Sequence, residues 1–228
     1  MPRFIAPALL PALVCGAIVS TVVARPRAPG TALRIACQSC LHQPAKVALA
    51  AAVPWEARDA RDVVGRKMPV LSFERWINTP DGRPLDTGGK VTLYRWWTDG
   101  CEHCEKTLPA VEALRREYGP KGLVVVAVYH PKPPRAVKDQ DVRKAAAAIG
   151  YAGPVALDLD WSELKKFYLD KGRRNFTSAS FLVDKDGVIR HAHPGPRFYP
   201  SDHPADAGED AAYAAMERAV KRLLAPPP

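Results

Sequence analysis

Several features are scarce in this 228-residue sequence, and each scarcity removes a class of function. Five cysteines are too few for the dense bridging that holds small disulfide-scaffold folds together. The chain is basic, with a formal net charge of +9, yet its 33 lysines and arginines gather in no single run. No zinc-finger spacing, RNP motif or basic helix accompanies them, which argues against nucleic acid as a partner. A generally basic surface suits anionic lipid or acidic partners instead. Gly88-Gly89-Lys90 lacks the upstream glycine of a phosphate loop, and Val91 stands where Ser or Thr is required. Haem attachment is excluded at Cys37-Gln38-Ser39-Cys40, because Leu41 follows the pair and His42 comes one residue late. The residues before Cys15, Ala12-Leu13-Val14, lack the small residue that a lipobox places ahead of its cysteine.

What is present fits a globular core with an extension in front of it. Hydrophobic residues make up 47% of the chain and charged ones 25%, a composition that can bury a core. Met1-Pro2-Arg3 is a short positive start, followed by an uncharged apolar run from Phe4 to Ala24. That run reads as an export signal ending at Val22-Val23-Ala24, or as a retained membrane anchor, since roughly 20 residues span a bilayer. The expected organisation is therefore a signal or anchor over 1–24, a pre-domain segment over 25–65, and a folded domain over 66–225 working outside the cytoplasm. Exported cysteines at two close CxxC spacings leave room for two disulfides. For Cys37 and Cys40, which no strand approaches, a local disulfide is the first reading, with an auxiliary redox or metal role beside it.

Hydrophobic spacing supplies the elements. Val70 to Ile77 reads as a strand leading into a hairpin turn at Thr79-Pro80-Asp81-Gly82. VTLYRWW is a buried-strand pattern running straight into Cys101-Glu102-His103-Cys104. From Glu102 to Tyr118 the spacing is helical, with Leu108, Val111, Leu114 and Tyr118 on one face and Pro109 expected to kink it. LVVVAVYH, ending at His130, is the continuous apolar run of a strand buried on both faces. A helix around Val137 to Ile149, a short strand in PVALDLD and a helix from Trp161 to Tyr168 follow. SFLVD and GVIRHAH flank a turn at Lys185-Asp186-Gly187, and a last helix has Asp206 and Glu209 placed for a capping box. This order predicts an α/β fold with a mixed sheet and helices on both faces.

Cys101 and Cys104 stand at a strand-to-helix junction, where reactive groups gather in open sheets. Three residues apart on a helix start, both sulfurs lie on one side of the first turn, Cys101 at the exposed end. The free N–H groups and dipole of that terminus favour a thiolate, so Cys101 is expected to attack a disulfide and Cys104 to resolve the product. His103 adds a donor beside the pair and Glu102 opposes it. His191 and His193 alternate onto one strand face, and with Asp202 and His203 they are a metal candidate, though capping a polar sheet edge is the commoner use. Trp96 and Trp97 read as core before they read as a binding platform.

These residues carry a family likeness. VTLYRWWTDGCEHCEKTLP resembles the active-site region of thioredoxin-fold proteins, in particular the exported TlpA/ResA-type thiol-disulfide oxidoreductases. Trp97 matches the aromatic before the active site and Pro109 the proline after the second cysteine. MPVLSFERWINTPDGRPL resembles the N-terminal hairpin of that branch, while DLDWSELKKFYL and SFLVDKDGVIRH resemble its later elements. The likeness covers residues 65 to 224. It implies a thioredoxin-like fold, no cofactor, protein substrates carrying disulfides or thiols, a membrane electron donor, and a substrate-docking loop at Thr177 and Ser178. Three positions depart from the pattern. Ser178 stands where the family has a cis-proline, and since a non-proline cis bond costs about 3 kcal/mol, a trans bond is expected. Arg95 replaces the buried aspartate, a cation that favours thiolates and cannot accept a proton. Gly100 replaces the tryptophan beside the first cysteine. Two rivals remain. One is a thiol peroxidase, for which Thr98 and Cys101 supply half a signature while Tyr94 replaces its proline; the other is a copper- or zinc-binding protein using the dithiol.

Overall fold

The computed structural model describes residues 60–171, 174 and 176–226. The signal or anchor assigned to 1–24 and the Cys37/Cys40 pair lie outside those residues. Among the described residues no helix is long and apolar enough to cross a membrane.

The chain order is β1 (Arg75–Ile77), β2 (Val91–Trp97), α1 (Glu102–Tyr118), β3 (Leu123–Tyr129), α2 (Asp139–Ala148), β4 (Val155–Leu157), α3 (Ser162–Phe167), β5 (Ser180–Val183), β6 (Ile189–His193) and α4 (Ala207–Leu224). The strands form one mixed sheet in the order β1-β4-β3-β2-β5-β6. β2, β3 and β4 run parallel, and β1, β5 and β6 pair antiparallel at the two sides. Alternation along the strands divides the core in two. Leu93, Trp97, Val125, Ala127, Tyr129 and Leu182 face α1, α2 and α4. Tyr94, Trp96, Val126, Val128, Ala156 and Phe181 face α3 and the incoming chain at Ala60 and Val63. Both faces of the sheet are therefore covered by helices, as the apolar runs of β2 and β3 require.

Three local readings need correction. The chain from Val70 to Glu74 is not strand, and β1 is three residues long. The turn at Thr79–Gly82 exists, but no hairpin closes across it, because β1 pairs with β4 through Arg75–Leu157, Trp76–Ala156 and Ile77–Val155. Trp76 joins the far core, with its ring edge-on to Phe73 at 5.5 Å. The capping box at α4 also fails to form. Asp206 accepts instead from the Ser201 hydroxyl (3.0 Å), and Glu209 pairs with Arg197 (2.8 Å). The domain's contacts begin ahead of residue 66, since Ala60 and Val63 are buried and Gly65 N–H donates to Ile189 O (2.8 Å).

α3 has only six residues, and a buried carboxylate fixes its start. Asp158, just past β4, accepts from Glu163 N–H (3.0 Å), Leu164 N–H (3.1 Å) and the Trp96 indole N–H (3.0 Å). These bonds satisfy helix-end donors that would otherwise be buried without partners. They also join α3 to the strand that carries the dithiol.

Candidate active site

β2 is the central strand of the site. It pairs with β3 over its whole length and with β5 from Thr92 to Arg95, so the point where it releases the chain is fixed from both sides. The chain then turns through Gly100, whose φ of +60° favours glycine over the family's tryptophan. No atom lies within 4 Å of where a Cβ would be, so the constraint is backbone conformation and not space. Cys101 is the N-cap of α1, and its sulfur accepts from Cys104 N–H (3.3 Å). Its thiol is half-buried, whereas Cys104 lies one turn inward with no exposed surface. The two sulfurs are 2.7 Å apart, with the Cys104 thiol donating to Cys101 Sγ.

The pKa values of the two thiols are shifted in opposite directions. Cys104 is lowered to about 5, first by its hydrogen bond with Cys101, then against its burial by the Arg95 cation, the Thr98 backbone and the Ser178 hydroxyl. Cys101 is pushed well up by that same bond, by burial and by the negative charge on Cys104. The helix terminus alone pointed to a Cys101 thiolate. The Cys104 N–H and, after it, the Arg95 cation also favour a thiolate on Cys101. Glu102 opens α1 on the surface, and neither it nor His103 is among the largest influences on either thiol. The His103 Nδ1 is buried without a partner among the described residues.

Arg95 is fully buried. One terminal nitrogen donates to Ser178 O (2.7 Å), Ser180 Oγ (3.2 Å) and Gly195 O (3.4 Å); the other donates to Pro196 O (2.6 Å). The Phe198 ring lies against the guanidinium, 5.6 Å from centroid to carbon. Three of the four acceptors belong to loops, and two come from the long polar segment between β6 and α4. That segment is tied down again where Thr107 of α1 donates to Pro196 O (3.0 Å) and accepts from Phe198 N–H (3.3 Å).

The loop at Thr177 and Ser178 is held by neighbouring groups of the site. Ser178 Oγ lies 3.6 Å from Cys104 Sγ, its carbonyl is on Arg95, and Thr177 Oγ1 lies 2.7 Å from Nε2 of His130. Lys132–Pro133 is the sole cis peptide among the described residues, so Thr177–Ser178 is trans. His130 at the end of β3 is the site residue that sequence reading passed over; a polar residue closing an apolar parallel strand beside the dithiol was its signal. Asp99 is a second one. It accepts from Tyr129 OH (2.7 Å) and Arg135 (2.8 Å), joining the loop before Cys101 to the loop after β3.

Other candidates resolve differently. Trp96 and Trp97 are core residues, packed on Phe181 and Tyr129 respectively. His191 and His193 do share a face, but it is one they share with cations. Both are lowered, by burial first, then His191 by Arg222 and Arg218 and His193 by Arg95. Among the described residues no group of three or more His, Cys, Asp or Glu is arranged to hold a metal ion. The Thr98 hydroxyl donates to Asp99 (3.3 Å).

Comparison with known proteins agrees with this layout. The family model described as Redoxin matches residues 64–207. The chain is 31% identical over 119 residues to Protein DipZ of Mycobacterium bovis, covering 51% of this chain and 16% of that protein. It is 30% identical over 110 residues to Thioredoxin-like protein YneN of Bacillus subtilis, covering 48% of this chain and 59% of that protein. The chain thus spans less than two thirds of either relative. Among solved structures, a Chlorobium tepidum protein assigned as thiol:disulfide interchange protein DsbE superposes with a TM-score of 0.53. That likeness has 23% identity over 71% of this chain and 98% of the other. A thiol-disulfide isomerase from Corynebacterium glutamicum gives a TM-score of 0.52 at 18% identity, over 70% of this chain and 98% of its own. At such identities the likeness establishes the fold, and the fold is thioredoxin-like.

Proposed function

The chain belongs to the Redoxin family, and from that premise we propose that it is a thiol-disulfide oxidoreductase acting on partner proteins through Cys101 and Cys104. The observation that carries this reading is the half-buried Cys101 sulfur at a helix N-cap with the Cys104 sulfur 2.7 Å behind it. With the proton of that bond on Cys104, Cys101 is the thiolate. It attacks one sulfur of a substrate disulfide; that S–S bond breaks, a mixed disulfide forms on Cys101, and the departing sulfur leaves as a thiolate that takes up a proton. Cys104, deprotonated, then attacks Cys101 Sγ and expels the second substrate sulfur. Two electrons move from the dithiol to the substrate, and the reverse sequence oxidises a partner dithiol. Thr177 and Ser178 would lie alongside the substrate chain, while Arg95, His103 and Glu102 set the charge around the pair.

The apolar segment over 1–24 supports work on the outer face of the membrane. There the pair would need a membrane electron donor to act as a reductase. The test is a redox titration against glutathione on the chain carrying Cys37→Ser and Cys40→Ser. We expect a two-electron couple more oxidising than thioredoxin, which lies at about −270 mV, because the reduced thiolate is the form Arg95 favours. Cys101→Ser and Cys104→Ser should each abolish the couple. A pair that does not cycle with glutathione would end this reading.

A further inference from the structure

His130 is the point where three segments of the site meet. It follows β3 directly and has no exposed surface. Its backbone N–H donates to Trp97 O (2.9 Å), at the end of the strand that delivers the dithiol. Its ring Nε2 shares a 2.7 Å hydrogen bond with Thr177 Oγ1, 47 residues onward. The Trp161 ring stands edge-on to the imidazole, with centroids 5.5 Å apart and an interplanar angle of 78°. Trp161 is itself pinned, because its indole N–H donates to Pro131 O (2.8 Å), the carbonyl of the next residue after His130. It also holds a φ of +66°, a left-handed backbone that a bulky side chain rarely adopts. Such a conformation persists only where the surroundings over-determine it. The imidazole is therefore a fixed post, braced by the start of α3.

What this post holds is the wall beside the reacting pair. Thr177 is the last residue with exposed surface before the chain sinks into β5. Ser178, next to it, is buried with its Oγ 3.6 Å from Cys104 Sγ. The Ser178 carbonyl is fixed by Arg95 (2.7 Å), while the Thr177 side chain is fixed by the imidazole. No proline ring stiffens the loop between them, so these side-chain bonds do that work. A protein segment joined to Cys101 brings flanking residues that need room along this surface. A small disulfide meets the half-buried sulfur with little else. The shape of the loop therefore matters more to the first than to the second.

We propose that His130 is a positioning residue for the partner: through Thr177 it holds the loop beside the dithiol in the shape that accepts a protein segment, and so gives the site a preference for protein disulfides over small ones. This rests on the exchange reading above. The covalent steps are those already described. Cys101 joins one partner sulfur and the other leaves; Cys104 then attacks Cys101 Sγ, closing the intramolecular disulfide and releasing the second sulfur. Two electrons and two protons pass from the dithiol to the partner, and none of them passes through His130.

The experiment compares two probes, insulin and glutathione disulfide, on the full chain carrying Cys15→Ser, Cys37→Ser and Cys40→Ser. Reduced chain is mixed with each probe, and its oxidation is followed by acid quench, alkylation and mass spectrometry, giving two second-order rate constants. Their ratio is the readout. With His130→Leu we expect the insulin-to-glutathione ratio to fall about fivefold, the effect of one hydrogen bond. His130→Gln puts an amide that can donate or accept near the Nε2 position, and should keep the ratio within about twofold of the unmodified chain. Should His130→Leu not fold, Thr177→Val removes the same bond from a partly exposed position, and the same fall of about fivefold is expected. The double variant should be no worse than the poorer single one, since both changes remove one bond. A merely structural loss slows both probes alike and leaves the ratio where it was. That result, or losses that multiply in the double variant, overturns the inference. Cys104→Ser is the check on the parent reading. If it traps neither probe as a mixed disulfide on Cys101, dithiol exchange itself is wrong. If it traps either one while the ratio ignores His130 and Thr177, only the role of His130 is overturned.

Discussion

Lowering the pH from 7 to 5 should remove about 4 kcal/mol of folding stability, and two histidines account for it. His130 is fully buried and lowered to about 3, by burial first, then by Lys132 and Arg95. His193 is nearly as buried and lowered to about 3, by burial and then by Arg95. In the unfolded chain each would titrate near 6.5. Because the folded value is the lower one, the stabilisation is complete above pH 6.5 and drains away as the pH falls toward 3. At pH 5 the unfolded chain is protonated by about 1.5 units more favourably, or about 2 kcal/mol per histidine. Against a total of about 5–15 kcal/mol for an ordinary domain, that is a large share. The carboxylates held below their usual range, Glu112 and Asp184 among them, respond only at lower pH, and with Cys101 and Cys104 oxidised to a disulfide the Cys104 thiol, lowered to about 5, is silent too, so in the oxidised protein the window from 7 to 5 isolates the histidines. Urea unfolding at the two pH values measures the effect, and a His130→Gln/His193→Gln chain should lose most of the difference. A change below 1 kcal/mol in the unmodified chain would mean that these rings are solvated.

The second large effect lies on the opposite face of the sheet. Phe181 on β5 is fully buried, with ring centroids of Phe167 at 4.9 Å, Tyr168 at 5.1 Å and Trp96 at 5.7 Å. Phe181→Ala should cost about 3–5 kcal/mol, since three aromatic neighbours cannot collapse into the void. Phe181→Leu keeps most of the volume and should cost less than about 1.5 kcal/mol. The next residue back, Ser180, accepts from Arg95, so the alanine chain should also show faster alkylation of Cys104 in the reduced protein. Urea midpoints and thiol-labelling rates read both effects. Equal costs for Ala and Leu would show that packing around Phe181 is loose.

What was legible in the sequence follows from what is local. β2, α1, β3 and the β5–β6 pair stand where apolar periodicity put them, and the dithiol sits at the strand-to-helix junction, because those patterns record burial along a continuous stretch. β1 was misread because its partner strand lies about 80 residues onward, and pairing at that range leaves no mark in the hydrophobic pattern. Arg95 was noticed as a departure from a family pattern, but its surroundings were invisible. They are mostly backbone carbonyls, and carbonyl direction is a property of loops and not of side-chain identity. A helix terminus can be read from residue order, whereas a guanidinium held behind the inner sulfur by a loop near Pro196 cannot.

The loop after β6 also fixes when the site becomes complete. Its two carbonyls reach Arg95 across sequence separations of 100 and 101 residues, the most distant contacts the guanidinium makes. Closures of that span form late relative to local helices and hairpins, because chain entropy must be overcome before they gain anything. A chain emerging from its amino end therefore presents both cysteines long before the segment that confines the cation has been made. Until Gly195 and Pro196 arrive, the guanidinium remains hydrated and its hold on the inner sulfur is weak. The surroundings of the dithiol are thus complete only once the chain has been made through Pro196.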